Sequence, residues 1–439
     1  MGTIEIPKPS VASAEASGRF AWITENLGGH IREYGGTFAT EFAVLACQLL
    51  TYKLAAHFLG KTGFSEYAVA RRTISILYPV VLLGLGVGLP RYIADATGRG
   101  DEGLRARYFG ATLWCVGLSA LVCVVLLNSF PGRLAYLFFG SREYTSLILP
   151  LSLVVAGSAL HAIVYSYFRG ILNMRAANLL QFLSLGLVPL AVFTFYSQSV
   201  QALLTALGIL TIVVAGLALP FTPLRAAAKN NRGQAKELLR FGIQRVPGDF
   251  ILMALLALPV TFVAHLKGVQ EAGFVAFGIS VVSVIGSVFA PVGLVLLPKA
   301  ATMFAEGSSK ELREHLRTLL RFTFAVSVVM ILAIWMWAPG IIRLYLGVGF
   351  EQVVPIVRLL VVGALPYSLY LVVRNLVDAY HRDGVIAAIL FGGLAVFLVG
   401  CWIAKHFNGG GEAILGVFVL ALSTLAVLSS WECRRILRG

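Results

Sequence analysis

The chain is short of charge. Only 13% of its 439 residues are Asp, Glu, Lys or Arg, where a soluble domain carries about 25%. With 58% hydrophobic residues and a mean hydropathy of +0.84, it has too little polar surface to cover a soluble fold. That excludes a soluble enzyme, a disordered protein and a secreted disulfide scaffold. Cysteine is scarce too: Cys47, Cys115, Cys123 and Cys401 lie in apolar runs and Cys433 lies near the end. None belongs to a C-x-x-C pair, so neither a metal site nor a disulfide framework is indicated. The sequence has no H-E-x-x-H, no G-x-S-x-G and no clustered His/Cys set. Residues 55–62 read AAHFLGKT, a phosphate-loop match without its first glycine that runs off an apolar segment, which excludes an ATP site. No secretory h-region opens residues 1–33, so the first apolar segment is expected to stay in the membrane.

What the chain has instead is long hydrophobic runs. About 20 apolar residues cross a bilayer as a helix, and twelve stretches qualify: 34–59, 66–93, 108–129, 145–170, 178–198, 200–224, 241–266, 271–298, 318–342, 353–380, 384–407 and 411–431. The division between the fifth and sixth rests on Tyr196 to Gln201 alone. This is an all-α polytopic membrane protein. The segments between spans hold 23 Lys and Arg on one side and 6 on the other, so both termini are expected in the cytoplasm. Trp335, Trp337 and Trp402 then fall at outer span ends and Trp431 at an inner one. The net charge of +14 reads as basic loops held against the inner leaflet, with no nucleic-acid partner. In the longest inner loop, Ser308 and Glu311 have capping-box spacing and predict a helix running into span nine. The outer loops are all short.

An internal repeat appears at an offset of 208 residues. It pairs Gly60 with Gly268, Ala68 with Ala276, Ser75 with Ser283 and Leu89-Pro90 with Leu297-Pro298, among nine identities over positions 60–105. An even number of spans per repeat gives both halves one orientation, related by an axis along the membrane normal, which is transporter architecture. The expected organisation is a cytoplasmic segment 1–33, an N-lobe 34–224, a linker 225–240, a C-lobe 241–431 and a tail 432–439.

Ionisable residues inside spans cost at least ~2.5–3.5 kcal/mol and so tend to face a bundle interior or water. Six are basic: Lys53, Arg71, Arg72, Arg245, Arg358 and Arg374. The clearest embedded acids are three: Glu41, Asp249 and Asp378. An interior lined by this set is net basic and suits an anionic substrate. Lys53, Arg71, Arg72 and Arg358 are also near enough to outer ends to snorkel. Arg71 and Arg72 point about 100° apart on a helix, which predicts that at most one aims at a central cavity. Arg245–Asp249 and Arg374–Asp378 are i,i+4 pairs that can instead neutralise each other. Pro247 predicts a broken helix between the first pair. Glu41 has no partner near it in sequence. His57, His161, His265 and Asn375 read as satisfied interior groups, and Gly84-Leu85-Gly86-Val87-Gly88 as a close-packed, bendable stretch.

With these residues in view, the chain resembles the polysaccharide-export branch of the MOP superfamily, the Wzx-type flippases related to lipid II flippases and MATE exporters. The hairpin His57 to Tyr67 (HFLGKTGFSEY) is similar to that family's turn between spans one and two. Tyr165 to Leu180 (YSYFRGILNMRAANLL) resembles its Arg- and Asn-bearing junction between spans four and five. Leu238 to Pro247 (LLRFGIQRVP) resembles its opening of the second half, and Pro355 to Arg382 its span ten. Ala68 stands where the family commonly has Gly, and Arg245 where an apolar residue is more usual. The resemblance implies a MATE-like fold of two six-helix lobes and a flippase in a bacterial inner membrane. Such a flippase moves an undecaprenyl-diphosphate-linked oligosaccharide from the inner to the outer leaflet for O-antigen, capsule or exopolysaccharide synthesis. Arg245, Arg71, Arg72 and Arg374 are then the expected diphosphate contacts, with Lys53 and Arg358 secondary. Glu41, Asp249 and Asp378 are candidates for coupling to H⁺, Na⁺ or the membrane potential. No cofactor, no metal and no catalytic residue is expected. The expected partners are the lipid-linked glycan, membrane lipids, a polysaccharide polymerase and a chain-length regulator, and the expected state is a monomer. The alternative is a MATE-like cation-coupled multidrug exporter, which would keep acids in its cavity. A membrane enzyme acting on lipid-linked sugars would need a large outer catalytic loop.

Overall fold

The computed structural model describes residues 11–195, 199–224, 231–289, 309–380 and 384–437, together with Leu296, Ala300 and Met303, with side chains from residue 35 on except 309 and 310. Among these residues there is no β-strand. Ten helices are long and apolar enough to span a membrane, and a bent pair, Val353–Val361 and Ala364–Tyr380, makes an eleventh crossing at 41°.

The first of the ten, Gly35–Leu82, has 48 residues and as one rod would extend about 70 Å, more than twice the ~30 Å hydrocarbon core. It folds back instead. Gly60 sits at φ 64 and ψ −169, and the Arg71 guanidinium lies 4.8 Å from the Tyr52 ring, although a straight helix would hold them about 28 Å apart. The described residues therefore form twelve long helices: α1 (11–59), α2 (61–98, interrupted at 83–84), α3 (Glu102–Ser129), α4 (Ile148–Gly170), α5 (Met174–Phe195), α6 (Val200–Ala218), α7 (Arg232–Lys267), α8 (Val269–Ser287), α9 (Ser309–Tyr345), α10 (353–380), α11 (Val385–His406) and α12 (Gly411–Ile436). The fifth and sixth spans are separate helices, and the Ser199 hydroxyl caps the second of them by accepting from the Ala202 amide at 3.1 Å. Helix α9 runs from the predicted inner loop into span nine as expected; Ser308 lies outside the described residues.

The repeat is visible in the backbone. Gly268 joins α7 to α8 at φ 88 and ψ 172, close to the conformation of Gly60, its mate at offset 208. Two mates also touch. The Ser65 hydroxyl donates to the Gln270 carbonyl at 2.9 Å, and Gly273, the mate of Ser65, lies so close to it that a side-chain carbon would have no room. Two turns further along, Arg72 donates to Ser280, again its own mate, at 2.7 Å. A residue and its symmetry mate meet only near the axis that relates them. The axis therefore runs between α2 and α8, through the half of the bundle nearest the Gly60 and Gly268 turns.

At the opposite end the halves meet through glycine. Leu83 and Gly84 take left-handed φ values of 52 and 71 and break α2. Gly242 of α7 fits against this break so closely that neither glycine could carry a side chain. Here the Tyr108 hydroxyl donates to Glu237 at 2.7 Å. Breaks fall there, in a π-turn at Phe182–Leu187 and between the pieces of α10. They do not fall at Pro247: α7 is continuous from Arg232 to Lys267, a correction to the expected broken helix.

Apolar side chains also line the outside. Trp114, Leu118, Leu121 and Val125 form one exposed stripe along α3, as a lipid-facing helix requires. Trp335, Trp337, Trp402 and Trp431 are all exposed at span ends, where amphipathic rings favour the headgroup layer. The protein is a multi-pass membrane protein.

Candidate functional site

Two cavities lie along the contact between the halves. The one nearer the Gly60 and Gly268 turns encloses about 470 Å³ between α1, α2, α8 and α9; we call it the outer cavity, after the side to which the charge count assigns that end. Both Arg71 and Arg72 line it, so the expectation that only one faces a cavity is corrected. Adjacent side chains leave a helix about 100° apart, yet this cavity is lined by both. Arg72 donates to the Ser280 hydroxyl at 2.7 Å and to the Ala276 carbonyl at 3.3 Å. The Tyr52 and Ser280 hydroxyls are 3.0 Å apart. Arg71 lies over the Tyr52 and Tyr67 rings at 4.8 and 5.9 Å, a cation–π arrangement. The Tyr345 hydroxyl donates to the Leu49 carbonyl across the cavity mouth, and the repeat mates Ser75 and Ser283 both line the wall.

Among the described residues neither arginine has a carboxylate within ion-pair distance, and the Nε of Arg72 is buried without a hydrogen-bond partner. A buried unmet donor costs about 1–3 kcal/mol, and more when charged. The outer cavity thus holds two guanidinium groups matched only by hydroxyls, carbonyls and ring faces.

The inner cavity, about 610 Å³, is walled by α1, α2, α4 and α5 with part of α7. It is not uniformly basic. Glu41 and Asp249 line it, and each stands the same number of residues before its turning glycine, Gly60 or Gly268, so the two carboxylates are repeat mates. Glu41 accepts from the Gln181 amide at 2.8 Å, the cross-helix partner that local sequence could not supply. Asp249 pairs with Arg374 of α10 at 3.8 Å, and Arg374 also reaches Asp378 at 3.5 Å. The Arg374–Asp378 helical pair is present; the Arg245–Asp249 pair is replaced by a contact between helices. Arg245 is exposed beside this cluster.

Lys53 and Arg358 stand apart from both cavities. Lys53 is exposed in a separate recess with His57 and Tyr345. Arg358 donates through Nε to the Trp335 carbonyl at 3.0 Å and stacks over the Trp335 ring at 4.9 Å. His265 is satisfied as expected, with Nε2 3.0 Å from the Leu137 carbonyl. His161 is not: it is 4% exposed, and its Nδ1 has no hydrogen-bond partner.

Sequence reasoning missed the rest of the inner wall. Arg169, one residue from the end of the fourth span, reads from sequence as a loop anchor, yet it sits in the last turn of α4. There it lines the cavity, with its guanidinium over the Tyr165 ring at 5.6 Å. Tyr165 in turn stacks on His161, ring centroids 5.7 Å apart at 15°. The only sequence signal for these residues is the junction beginning at Tyr165.

The family model described as polysaccharide biosynthesis protein matches residues 37–304. Stage V sporulation protein B of Bacillus subtilis (strain 168) is 25% identical over 128 residues, 29% of this chain and 25% of that protein, so the match spans about a quarter of the relative's length. The inward-facing structure of a multidrug resistance MATE family transporter of the MOP superfamily superposes with a TM-score of 0.77 at 14% identity, covering 89% of this chain and 94% of that one. The lipid II flippase MurJ, inward closed, gives 0.71 at 15% identity over 91% and 87%. At such identities the superpositions establish the fold, and the family model covers more than half of the chain. The chain therefore belongs to the polysaccharide biosynthesis protein family.

Proposed function

We propose that the protein is a flippase for an undecaprenyl-diphosphate-linked oligosaccharide. It would move this substrate from the inner to the outer leaflet of a bacterial inner membrane during O-antigen, capsule or exopolysaccharide synthesis. The observation that carries the proposal is the pair Arg71 and Arg72, which line one cavity with no carboxylate in reach among the described residues. The diphosphate is the part of such a substrate that hydrocarbon rejects most strongly. Two guanidinium forks replace its water well, because planar N–H pairs match phosphate oxygens. Arg374 is already matched by two carboxylates, so Arg71 and Arg72 are the first contacts, Arg245 and Arg374 serve the inner approach, and Lys53 and Arg358 remain peripheral.

The lobes 34–224 and 241–431 rock against each other and part at the contact between α2 and α8 when the outer end opens, with segments 1–33, 225–240 and 432–439 in the cytoplasm. Rocking of paired repeats around a fixed site is the general transporter mechanism. Outward movement of each uncompensated negative charge gains ~2.3 kcal/mol per 100 mV of inside-negative potential. Glu41, Asp249 and Asp378 are the groups through which H⁺ or Na⁺ exchange would act. The name of the lipid II flippase supports a lipid-linked substrate, and the family's description supports a glycan. The partners that follow are a polymerase and a chain-length regulator, acting on a monomeric flippase.

The test is reconstitution in liposomes with a fluorescent polyprenyl-diphosphate sugar, scored by access of a membrane-impermeant quencher. The wild type should speed leaflet exchange, and Arg72→Ala should slow it at least tenfold while still inserting. Protein-free rates with the wild type would refute the reading. A second reading, a cation-coupled multidrug exporter, is favoured by Glu41 and Asp249 in the inner cavity. Drug efflux lost on Glu41→Gln, with no lipid exchange, would select it.

A further inference from the structure

The outer cavity gives the diphosphate a place but leaves the inner cavity without a ligand. The inner wall presents both signs of charge. An anion would meet the Glu41 and Asp249 carboxylates, and a cation would meet Arg169. A neutral polyhydroxyl group suits both, because each hydroxyl donates to a carboxylate or amide oxygen and accepts from a guanidinium N–H. Two further features point the same way. The Nδ1 of His161 is buried in this wall with no partner of its own. Gln181 spends one amide hydrogen on Glu41, and its carbonyl oxygen and second N–H remain available. The volume of about 610 Å³ falls in the range of small-ligand sites, ~300–1,000 Å³.

The position fits as well. Ser75 lines the outer cavity, while Tyr78 and Pro79, about one turn along the same helix, line the inner one. A single ligand with a diphosphate next to its first sugar can therefore touch both. We infer that the inner cavity is the sugar-reading half of the binding site, and that Glu41, Gln181, His161 and Arg169 select an uncharged hexose or N-acetylhexosamine as the residue attached to the diphosphate. This rests on the flippase reading.

Purified protein in lipid nanodiscs would be titrated with three short-chain polyprenyl-diphosphate probes: one bearing a hexose, one an N-acetylhexosamine and one no sugar. The quantity read is the ratio of Kd for the sugar-free probe to Kd for the better sugar probe. The wild type should show a ratio of at least ten. His161→Phe, which keeps the ring stack and removes the nitrogens, and Arg169→Met, which keeps the stem and removes the fork, should each bring the ratio towards one. A structural lesion would weaken all probes together and leave the ratio standing, and that result overturns the inference. A wild-type ratio near one overturns it too, while binding of the sugar-free probe keeps the flippase reading intact. No binding of any diphosphate probe removes both.

Discussion

At the scale of single residues, the charged side chains divide by whether their charge is answered. Arg374 meets Asp249 and Asp378 at 3.8 and 3.5 Å, with its own side chain 21% exposed and theirs 35% and 39% exposed. Neither pair is fully buried, so each alone is worth no more than about 1 kcal/mol. Loss of both is different, because it leaves a mostly buried cation unmatched. Asp249→Asn and Asp378→Asn should each lower the melting temperature slightly. The double variant should lower it by more than the sum, a coupling that a double-mutant cycle reads directly; strict additivity would show that Arg374 is served by solvent instead. The sequence marked all three of these residues, together with Arg71, Arg72, Arg245, Lys53, Arg358 and Glu41, by one rule: a charge within an apolar run. That rule finds candidates but cannot aim them, because aim depends on the facing helix. Arg358 turned to the Trp335 carbonyl, and Asp249 turned from Arg245 to a helix more than a hundred residues away. Arg169 escaped the rule altogether, since a charge at a span end looks like an ordinary loop anchor.

At the scale of elements, the hairpins turn on two glycines in left-handed backbone, Gly60 at φ 64 and Gly268 at φ 88. An added methyl would meet no atom within 4 Å at either position, so the cost of substitution is conformational alone. Both combine positive φ with extended ψ, a region essentially open to glycine alone, so Gly60→Ala and Gly268→Ala should each destabilise by about 1–3 kcal/mol, read as a fall in melting temperature in detergent, and by similar amounts because the turns are repeat mates. A much larger loss at one would mean that the turn is held by contacts and not by backbone freedom. These turns also explain why the helical layout was legible. Hydropathy sets span length, glycine sets the reversals, and both are local properties of the chain. The interruptions inside spans were not legible. Pro247 is the obvious breaker, yet α7 passes through it. The break occurs at Leu83-Gly84, where Gly242 of the other half presses against the backbone. Close approach between helices decides there, and no window along one segment reveals it.

At the scale of the molecule, the contact between repeat mates makes a mechanical claim. Ser65 against Gly273, and Arg72 against Ser280, close the end nearest the Gly60 and Gly268 turns along the symmetry axis. Lobes that exchange access by rocking must part at those contacts when that end opens, and the Arg72–Ser280 bond must then be given up. On the proposed function, a substrate diphosphate that takes over the Arg72 donors would remove one of the attractions holding the end shut and so tie arrival of cargo to opening. Gly273→Leu tests the geometry without touching a charge, because a side chain at this position cannot coexist with Ser65 in the closed arrangement. The variant should hold the end apart. With the five native cysteines replaced by alanine and Ser283→Cys placed in the outer cavity wall, a membrane-impermeant maleimide added from outside should label Gly273→Leu several-fold faster than its parent, and leaflet exchange should fall. Unchanged labelling would mean that α2 and α8 slide past the intrusion, so that the axis contact is packing and the closure lies elsewhere. Faster labelling only from the inside would reverse the assigned sidedness, because the outer cavity would then open to the cytoplasm, and the direction of transport would have to be reassigned with it.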